Sequence, residues 1–544
     1  MASRLSENPA WKILLIEAGD YPSGNSEMPH TYSSLRRTKE DWSYATEPSE
    51  TACCGLKNKQ CLCPRGRALG GSSTINAMFY IRGNPKDYDS WAVEGWDYDS
   101  VLPYFQKFED LQGVENDKLM GKAGELKITK SVKEGNPRRM FLEAYKELGF
   151  GEYSEKHPRG YFDAYTTIYN GTRCSTAKAF LSVMKNRNNA FLVLNAQVSK
   201  VLVSSDLTVT GVEMRVNGKM ITVKATKEVI LSAGSVNSAQ ILMNSGIGPK
   251  EHLDELGVPV VKNLRVGENL QDHVQFFGLA MKMGPNSLPQ RVDLDTVDEW
   301  YKYVMHKSGP LSVTPLNNFL LYLDPKNRSI YPTLQLFYEA FPKNDPNDGL
   351  RKIQVTYNLP SESFKPHEEI NKHSNLFYLM PALAYPKSVG KILLRSNDPF
   401  DPPRIFPNYF SDEEGEDLQA MLEGVRFFQE LVKTKAFADY EPEMVHLDLE
   451  NCRSFEPDSD DYWKCALKNI ATTVYHLAGT CKMGPAEDPT AVVDSRLRVH
   501  GMKGLRVVDA SIMPVMISAN INPAVIMIGQ KGSDMIIEDW KYDK

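Results

Sequence analysis

Short, almost uninterrupted apolar runs mark the start of the chain, the first at residues 11–16 (Trp-Lys-Ile-Leu-Leu-Ile). Such a run is typical of a strand that is buried on both faces of a parallel sheet. Residues 2–7 resemble the last turns of a helix that ends at Asn8-Pro9. Apolar patterning also predicts strands at 191–194, 198–204, 212–217, 228–231, 492–494 and 505–509. It predicts a glycine turn into a helix over 232–242 and a closing helix over 523–537.

The middle of the chain has a different pattern. It predicts strands at 319–323, 333–337 and 392–394 and helices at 137–148 and 417–434, which favours a second domain built on an antiparallel sheet. The predicted fold is therefore α/β plus α+β. We expect a Rossmann-like domain on a parallel sheet, formed by residues 1–92, 185–275 and 471–544, and a second domain formed by 93–184 and 276–470.

Composition narrows the class of protein. The 544 residues are 42% hydrophobic and 24% charged, with a formal net charge of −6, as in an ordinary globular protein with two lobes. The chain has no long basic run, which argues against nucleic acid or anionic membrane as a partner. It has no apolar run of about 18 residues, so no membrane span is predicted. The first residues, MASRLSENPAW, lack the basic start and apolar stretch of a signal peptide.

The cysteines suggest cross-links. A zinc knuckle is one interpretation of the cluster at 53–63, but its C-C-x6-C-x-C spacing is not usual for metal ligands. The other interpretation is one or two disulfides that pin a hairpin in an oxidising compartment. Cys452 and Cys465 could form a further bridge, and Cys174 and Cys481 could be buried thiols. The cluster consists of Cys53, Cys54, Cys61 and Cys63.

Glu17 ends the first predicted strand. An acid at the end of a second parallel strand can accept hydrogen bonds from an adenosine ribose; the alternative is a solvated carboxylate. The corresponding fingerprint places G-x-G-x-x-G roughly 20 residues before the acid, and no glycine precedes Glu17. We therefore expect the glycine loop and the first strand of the sheet to lie upstream of Met1.

Two stretches of small residues carry the remaining signal. Gly70-Gly71-Ser72-Ser73 predicts a turn that enters a helix, which residues 82–88 then break, and its N–H groups could meet a phosphate or a ring edge. A plain turn is the alternative. In the tail, His476 and Asn520 each lie among small residues that let backbone approach a large planar ligand. This pairing suggests a proton acceptor and a polar partner on one face of a cofactor.

Together these blocks resemble the glucose–methanol–choline (GMC) flavoprotein oxidoreductases over nearly the whole chain. Residues 67–76 match the first family signature, residues 234–248 the second and residues 266–273 a third common block, and the tail supplies the fourth. Ala239 stands where the second signature usually has Pro or Ser. The cysteine hairpin and the tail look most like insect members that are FAD- and quinone-linked glucose dehydrogenases.

The resemblance implies FAD as the cofactor. Some relatives attach FAD through a histidine in the GGSS block, where this chain has Ile75, so we expect a non-covalent flavin. Residues matched to contacts with FAD are Glu17, Ala68, Gly71, Asn76, Ala77, Met78, Val198, Asp509, Ala510 and Ile521. No metal site is predicted.

The resemblance also implies the catalytic residues. His476 matches the base that takes the hydroxyl proton while hydride leaves for the flavin. Asn520 matches the residue that holds the substrate oxygen, with Asn522 as the fallback. A core histidine and a turn-capping asparagine are the alternatives, and His273 and His500 are taken as structural.

The predicted function is therefore oxidation of an alcohol or sugar CH–OH group, with electrons passed to a quinone or to oxygen. The alternative is a truncated, inactive relative that acts as a flavin-free binding protein, because the glycine loop is missing. We expect the full-length protein to be extracellular.

Overall fold

The computed structural model describes residues 1–541 except 115, 116, 118, 131, 133, 134 and 290. The α-helices of the described residues are α1 (Ala2–Leu5), α2 (Gly24–Glu27), α3 (Pro85–Asp89), α4 (Tyr98–Phe108), α5 (Asn136–Glu147), α6 (Gly234–Asn244), α7 (Lys250–Glu255), α8 (Val297–His306), α9 (Gly349–Thr356), α10 (Ser361–Asn371), α11 (Glu416–Val432), α12 (Lys435–Ala438), α13 (Asp460–Ile470) and α14 (Asn522–Asp539).

The strands of the same residues are β1 (Ile13–Ile16), β2 (Tyr44–Ala45), β3 (Leu62–Cys63), β4 (Phe79–Tyr80), β5 (Glu109–Gln112), β6 (Leu126–Lys130), β7 (Gly160–Asp163), β8 (Tyr165–Thr166), β9 (Ile168–Tyr169), β10 (Thr172–Arg173), β11 (Ala190–Val193), β12 (Ala196–Val203), β13 (Val209–Val216), β14 (Lys219–Lys224), β15 (Val229–Leu231), β16 (Ile247–Gly248), β17 (Lys262–Asn263), β18 (Val274–Phe276), β19 (Leu279–Met283), β20 (Phe319–Leu323), β21 (Leu334–Phe341), β22 (Asn375–Leu383), β23 (Lys391–Leu393), β24 (Arg404–Phe406), β25 (Glu443–Val445), β26 (Ala471–Thr473) and β27 (Leu505–Val507).

Among the strands predicted for the first domain, β1 pairs with β11 and β15 with β27, both in parallel. Strand β1 is not buried on both faces as predicted, since Leu14 is 37% exposed. The strands predicted at 198–204 and 212–217 are β12 and β13, which pair antiparallel. The predicted strand–turn–helix over 228–242 is confirmed by β15 and α6, and the closing helix by α14. Gly234 makes the turn with a φ of +83°, a conformation that favours glycine.

The middle of the chain forms the predicted antiparallel sheet. Eight strands take part, with the main order β25-β19-β22-β21-β20-β7, while β18 pairs with β22 and β26. Every residue of β20, β21 and β22 is buried. Helix α11 contacts four of these strands, and its apolar residues recur at helical spacing, which gives it a buried face. These buried residues are Met421, Leu422, Val425, Phe428 and Leu431.

Three local predictions are wrong. Gly71–Thr74 form a single 3₁₀ turn and do not enter a long helix, and the following chain soon becomes strand β4. Residues 82–88, expected to break a helix, instead contain the start of α3 at Pro85. Proline is favourable at a first helical position because its missing N–H has no partner there anyway. Asn84 and Asp87 complete a capping box, with the Asn84 N–H donating to Asp87 Oδ2 at 2.9 Å. The strand expected at 492–494 is reduced to isolated bridges.

Disulfides join Cys53 to Cys61 and Cys452 to Cys465. The first loop docks on the end of α13, where the Gly55 N–H donates to the Asn469 carbonyl at 2.9 Å. Helix α13 runs directly into β26. The cross-links therefore hold the segment that leads to His476. Cys54, Cys63, Cys174 and Cys481 are free thiols.

The predicted domain boundaries at 275 and 471 fall where β18 and β26 pair with each other in the antiparallel sheet. The division into domains stays a prediction. Over the described residues, the helices are too short or too polar for any of them to cross a bilayer.

Candidate functional site

A cavity of about 460 Å³ lies where the predicted blocks meet. It is lined by the loop before β4, the segments after β15 and β27, the start of α14, and side chains of β18, β21 and β22. Nine predicted site residues line it: Glu17, Asn76, Ala77, Met78, His476, Asp509, Ala510, Asn520 and Ile521.

Three predicted contacts are not among the described lining residues. Ala68 is buried in a bridge with Asp20. Gly71 lies between lining residues Gly70 and Ser72. Val198 lies in β12 opposite Met214. The roles proposed for these three residues toward FAD stay predictions.

Part of the lining is tightly packed backbone. A Cβ on the lining residue Gly66 would lie 2.2 Å from the Gly71 carbonyl oxygen, and a Cβ on Gly19, two residues after the lining residue Glu17, would lie 2.0 Å from the Arg67 carbonyl oxygen. No side chain fits at either place without moving backbone. Met78 adopts a left-handed φ of +64°.

Buried Arg173 holds the turn that carries the lining residues 76–78. It donates to the Asn76 carbonyl at 2.8 Å and to Asn76 Oδ1 at 2.7 Å. Asn76 Oδ1 also accepts from the Met78 N–H at 3.1 Å. Arg173 has no predicted role, since nothing in the sequence pattern places residue 173 near residue 76.

Asp509 joins two loops at the cavity. Its Oδ2 accepts from the Gly234 N–H at 2.9 Å and from the Ser238 hydroxyl at 2.6 Å, and its Oδ1 accepts from the Ser511 N–H at 2.8 Å. A single carboxylate thus fixes the start of α6 against the turn after β27.

Glu17 follows β1 and lines another part of the cavity. Its Oε1 accepts from the Gly19 N–H at 2.8 Å. Burial raises the pKa of this carboxyl to about 7, although the Gly19 hydrogen bond and Arg67 oppose the shift. Near neutral pH the group can accept or donate a hydrogen bond.

The backbone of His476 is anchored by Asp272. Asp272 Oδ1 accepts from the His476 N–H at 2.8 Å, while Oδ2 accepts from the hydroxyls of Thr473, at 2.5 Å, and of Tyr409. Burial raises the pKa of Asp272 to about 6, and these hydrogen bonds partly offset the shift. Tyr475, just before His476, has a left-handed φ of +69°, which re-aims the chain after β26.

His273 determines which nitrogen of His476 carries hydrogen. Its Nε2 lies 2.9 Å from the carbonyl oxygen of Ile517, which can only accept, so Nε2 is the donor. Burial lowers the pKa of His273 to about 4, which keeps the ring neutral and leaves Nδ1 as an acceptor. The Nδ1 atoms of His273 and His476 are 2.8 Å apart. His476 Nδ1 therefore donates, and its Nε2 keeps a lone pair.

Asn520 lies next to that lone pair. Its Nδ2 is 3.3 Å from His476 Nε2, and its Oδ1 is buried and has no hydrogen-bond partner among the described residues. The amide N–H thus donates to the Nε2 lone pair, while the amide oxygen retains unused acceptor capacity beside it. Asn522, the fallback, also lines the cavity at the start of α14.

Electrostatics keep His476 in its basic form. Burial lowers its pKa well below the ordinary 6.5, and His273 and Arg65 lower it further. The imidazole is therefore unprotonated at neutral pH and can accept a proton at Nε2.

Asp272 and His273 lie in the matched block 266–273, but the sequence pattern assigns no role to Asp272, and His273 is taken as structural. The sequence signal that could have found them is an acid and a histidine side by side at the end of the block that precedes the predicted second domain. His500, also taken as structural, points its Nε2 to the Gly484 carbonyl at 3.0 Å, and it is not among the described lining residues. No group of three metal-ligating side chains occurs in the described part of the chain.

Two family models match the chain. The GMC oxidoreductase models match residues 28–275 and 386–529. The chain belongs to the GMC oxidoreductase family. It is an FAD-dependent oxidoreductase that acts on CH–OH donors.

Relatives within this family differ in what their names say they oxidise. The chain is 38% identical to a glucose dehydrogenase [FAD, quinone] of Drosophila pseudoobscura pseudoobscura, over 99% of the chain and 85% of the relative. It is 33% identical to an oxygen-dependent choline dehydrogenase of Rhizobium etli, over 99% and 93%. The crystal structure of pyridoxine 4-oxidase from Mesorbium loti is similar with a TM-score of 0.80 at 26% identity, covering 98% of this chain and 96% of that one.

The residues of the cavity fit FAD. Small residues on the turn at 70–73 and the adjacent Asn76, Ala77 and Met78 leave backbone open to the cavity on one side, as a large planar ligand requires. Glu17 supplies an acceptor suited to ribose hydroxyls. The Asn520 amide N–H and the His476 Nε2 lone pair place a donor beside an acceptor, a polar end suited to an alcohol hydroxyl.

Proposed function

We propose that this GMC oxidoreductase oxidises the CH–OH group of an alcohol or sugar, with His476 as the base. The observation that supports this most directly is the hydrogen-bond chain from the Ile517 carbonyl through His273 to His476. That chain leaves the Nε2 lone pair in the cavity, next to an amide with spare hydrogen-bonding capacity.

In the reaction, His476 Nε2 takes the proton of the substrate hydroxyl. Asn520 holds the hydroxyl oxygen next to Nε2, so that the proton is within reach of the base. FAD, when bound, accepts the hydride that leaves the carbinol carbon, and a carbonyl compound results. Asp272 acts at a distance from the substrate, by fixing the backbone of His476.

For the cofactor, we propose non-covalent binding with Glu17 on the ribose and residues 76–78, 509, 510 and 521 beside the ring. Ile75 offers no nucleophile for a covalent link. The electron acceptor is a quinone or oxygen. The domain division given above belongs to the same proposal. So does an extracellular location, which the two disulfides support.

The test is to purify the full chain, titrate it with FAD and follow visible absorbance. Under anaerobic conditions, glucose and a series of simple alcohols are added in turn. We expect loss of the oxidised-flavin absorbance with at least one of them, and its return on adding a quinone or air. After denaturation the flavin should separate from the protein, since no covalent bond holds it.

A folded protein that stays colourless with excess FAD would contradict the proposal. So would a yellow protein whose absorbance no CH–OH compound bleaches. Replacing alcohols by matched ethers, which have no proton to give His476, is the negative control.

A further inference from the structure

An arginine lies among the aromatic rings of the cavity. Arg36 Cζ lies 4.5 Å from the ring centroid of Tyr475, 5.5 Å from that of Tyr32 and 5.9 Å from that of Tyr357. All four side chains line the cavity. Each distance is within the range of about 6 Å over which a cation is attracted to a ring face.

This guanidinium has spare hydrogen-bonding capacity. Within the described residues its one direct partner is the Tyr475 hydroxyl, to which Nη1 donates at 3.2 Å. Among those residues no carboxylate oxygen lies within 4.0 Å of its nitrogens. Because an arginine carries five N–H donors, most of them are free to meet a ligand.

Glu339 is the acidic counterpart in the same lining. Burial raises the pKa of Tyr32 and of Tyr357, and the negative charge of Glu339 raises both further. The Arg36 charge opposes this shift of the pKa at both, and also at Tyr475, the residue before His476. Arg36 therefore contacts the residue that precedes the base, and at that residue no acid among the described lining residues opposes its charge.

Aromatic rings of this kind attract quaternary ammonium groups when their faces are open. Here the protein's own cation lies over them. A cationic alcohol would meet like charge near a site of low dielectric constant, where such repulsion is strong. An alcohol rich in oxygen acceptors would instead find unused N–H donors.

We propose that Arg36 is a specificity-determining residue that excludes cationic alcohols from the cavity and favours substrates whose non-reacting part carries oxygen acceptors, neutral or anionic. This inference rests on the proposed function. It separates this chain from any member of the family that takes a quaternary ammonium alcohol, because specificity follows from an unfavourable contact as much as from a favourable one.

The test uses two alcohols of the same shape, choline and 3,3-dimethyl-1-butanol, which differ in charge alone. With the FAD-loaded protein, equilibrium binding is measured by quenching of protein fluorescence and turnover by kcat/KM. We expect the neutral compound to be preferred at least ~10-fold in both. Equal or tighter binding of choline would overturn the proposal, and this comparison needs no variant.

Variants then assign the preference to the residue. Arg36→Met should lose the ~10-fold preference, while Arg36→Lys, which keeps the charge, should retain it. Arg37→Gln is the matched control, because that arginine is exposed outside the cavity lining. An unchanged preference in Arg36→Met, with flavin content intact, would refute the role of Arg36. Absence of turnover with every alcohol would refute the proposed function, while the binding ratio would still decide this inference.

Discussion

One part of the cavity lining, around residues 66–78 and 509–510, is mainly backbone and small side chains, whereas the part formed by Tyr32, Arg36, Glu339 and Tyr357 is large side chains. At Gly66 the first part admits no added atom, because a Cβ there would lie 2.2 Å from the Gly71 carbonyl oxygen. The second part is built from groups that can be exchanged without moving backbone. We infer that changes in the first part affect the fold and FAD, and changes in the second affect which alcohol is taken.

The largest effect should come from the base itself, which lies between the two parts. His476→Ala removes the proton acceptor, and kcat should fall ~10²–10⁴-fold, while FAD content stays near one per chain. Stopped-flow measurement of flavin reduction checks this. His157→Ala, at an exposed position, is the control, and full turnover in His476→Ala would show that the base lies elsewhere.

Next in size is an added methyl group in the backbone part. Gly66→Ala places a Cβ 2.2 Å from a carbonyl oxygen, so the free energy of unfolding should fall by about 3 kcal/mol and FAD binding should weaken. Chemical denaturation and FAD titration measure both effects. Gly24→Ala, with nothing within 4 Å of its Cβ, should change stability by less than about 0.5 kcal/mol. Equal stability of the two variants would remove the distinction between the two parts of the lining.

A smaller loss is expected at the amide. Asn520→Ala removes the N–H donor beside His476 Nε2, and flavin reduction should slow ~10²-fold, the lower end of the loss expected when one positioned donor is removed. Asn522→Ala should slow it less than ~3-fold. The reverse order would move the role to Asn522.

The smallest effect concerns pH. The basic form of His476 exists above its pKa, and burial lowers that pKa well below 6.5. The pH profile of kcat/KM should therefore stay level from neutral pH down to at least 6.5, and fall only in more acid solution as Nε2 is protonated. A fall centred near 6.5 would mean that the imidazole titrates as in water.

A variant of His273 tests the same pH profile of kcat/KM. His273→Leu removes a neighbour that lowers the pKa of His476 and the acceptor that fixes its tautomer. The acid limb of the profile should move to higher pH, and kcat should fall ~10-fold or less. A purely structural role for His273 would change stability and leave the limb where it is.

Much of the fold was predictable because it depends on local pattern. The apolar run at 11–16, the glycine turn at Gly234 and the helix at α11 each carry their own signal, and each is present. The short turn at 71–74 and the helix at Pro85 were mispredicted, because a few small or polar residues satisfy several local structures about equally well. Tertiary contacts then decide between them.

By itself, the sequence determined the family, the strands and helices with strong periodicity, and the placement of His476 and Asn520 in blocks of small residues. Only the tertiary structure decided which nitrogen of His476 can accept a proton, because that depends on two hydrogen bonds of His273. One joins His273 to His476, 203 positions away, and the other joins His273 to the Ile517 carbonyl, 244 positions away. It also decided that Arg36 lies over rings from distant segments. Hydrogen-bond direction and ring contact depend on distances of a few ångströms, and residues remote in sequence reach such distances only when the chain is folded.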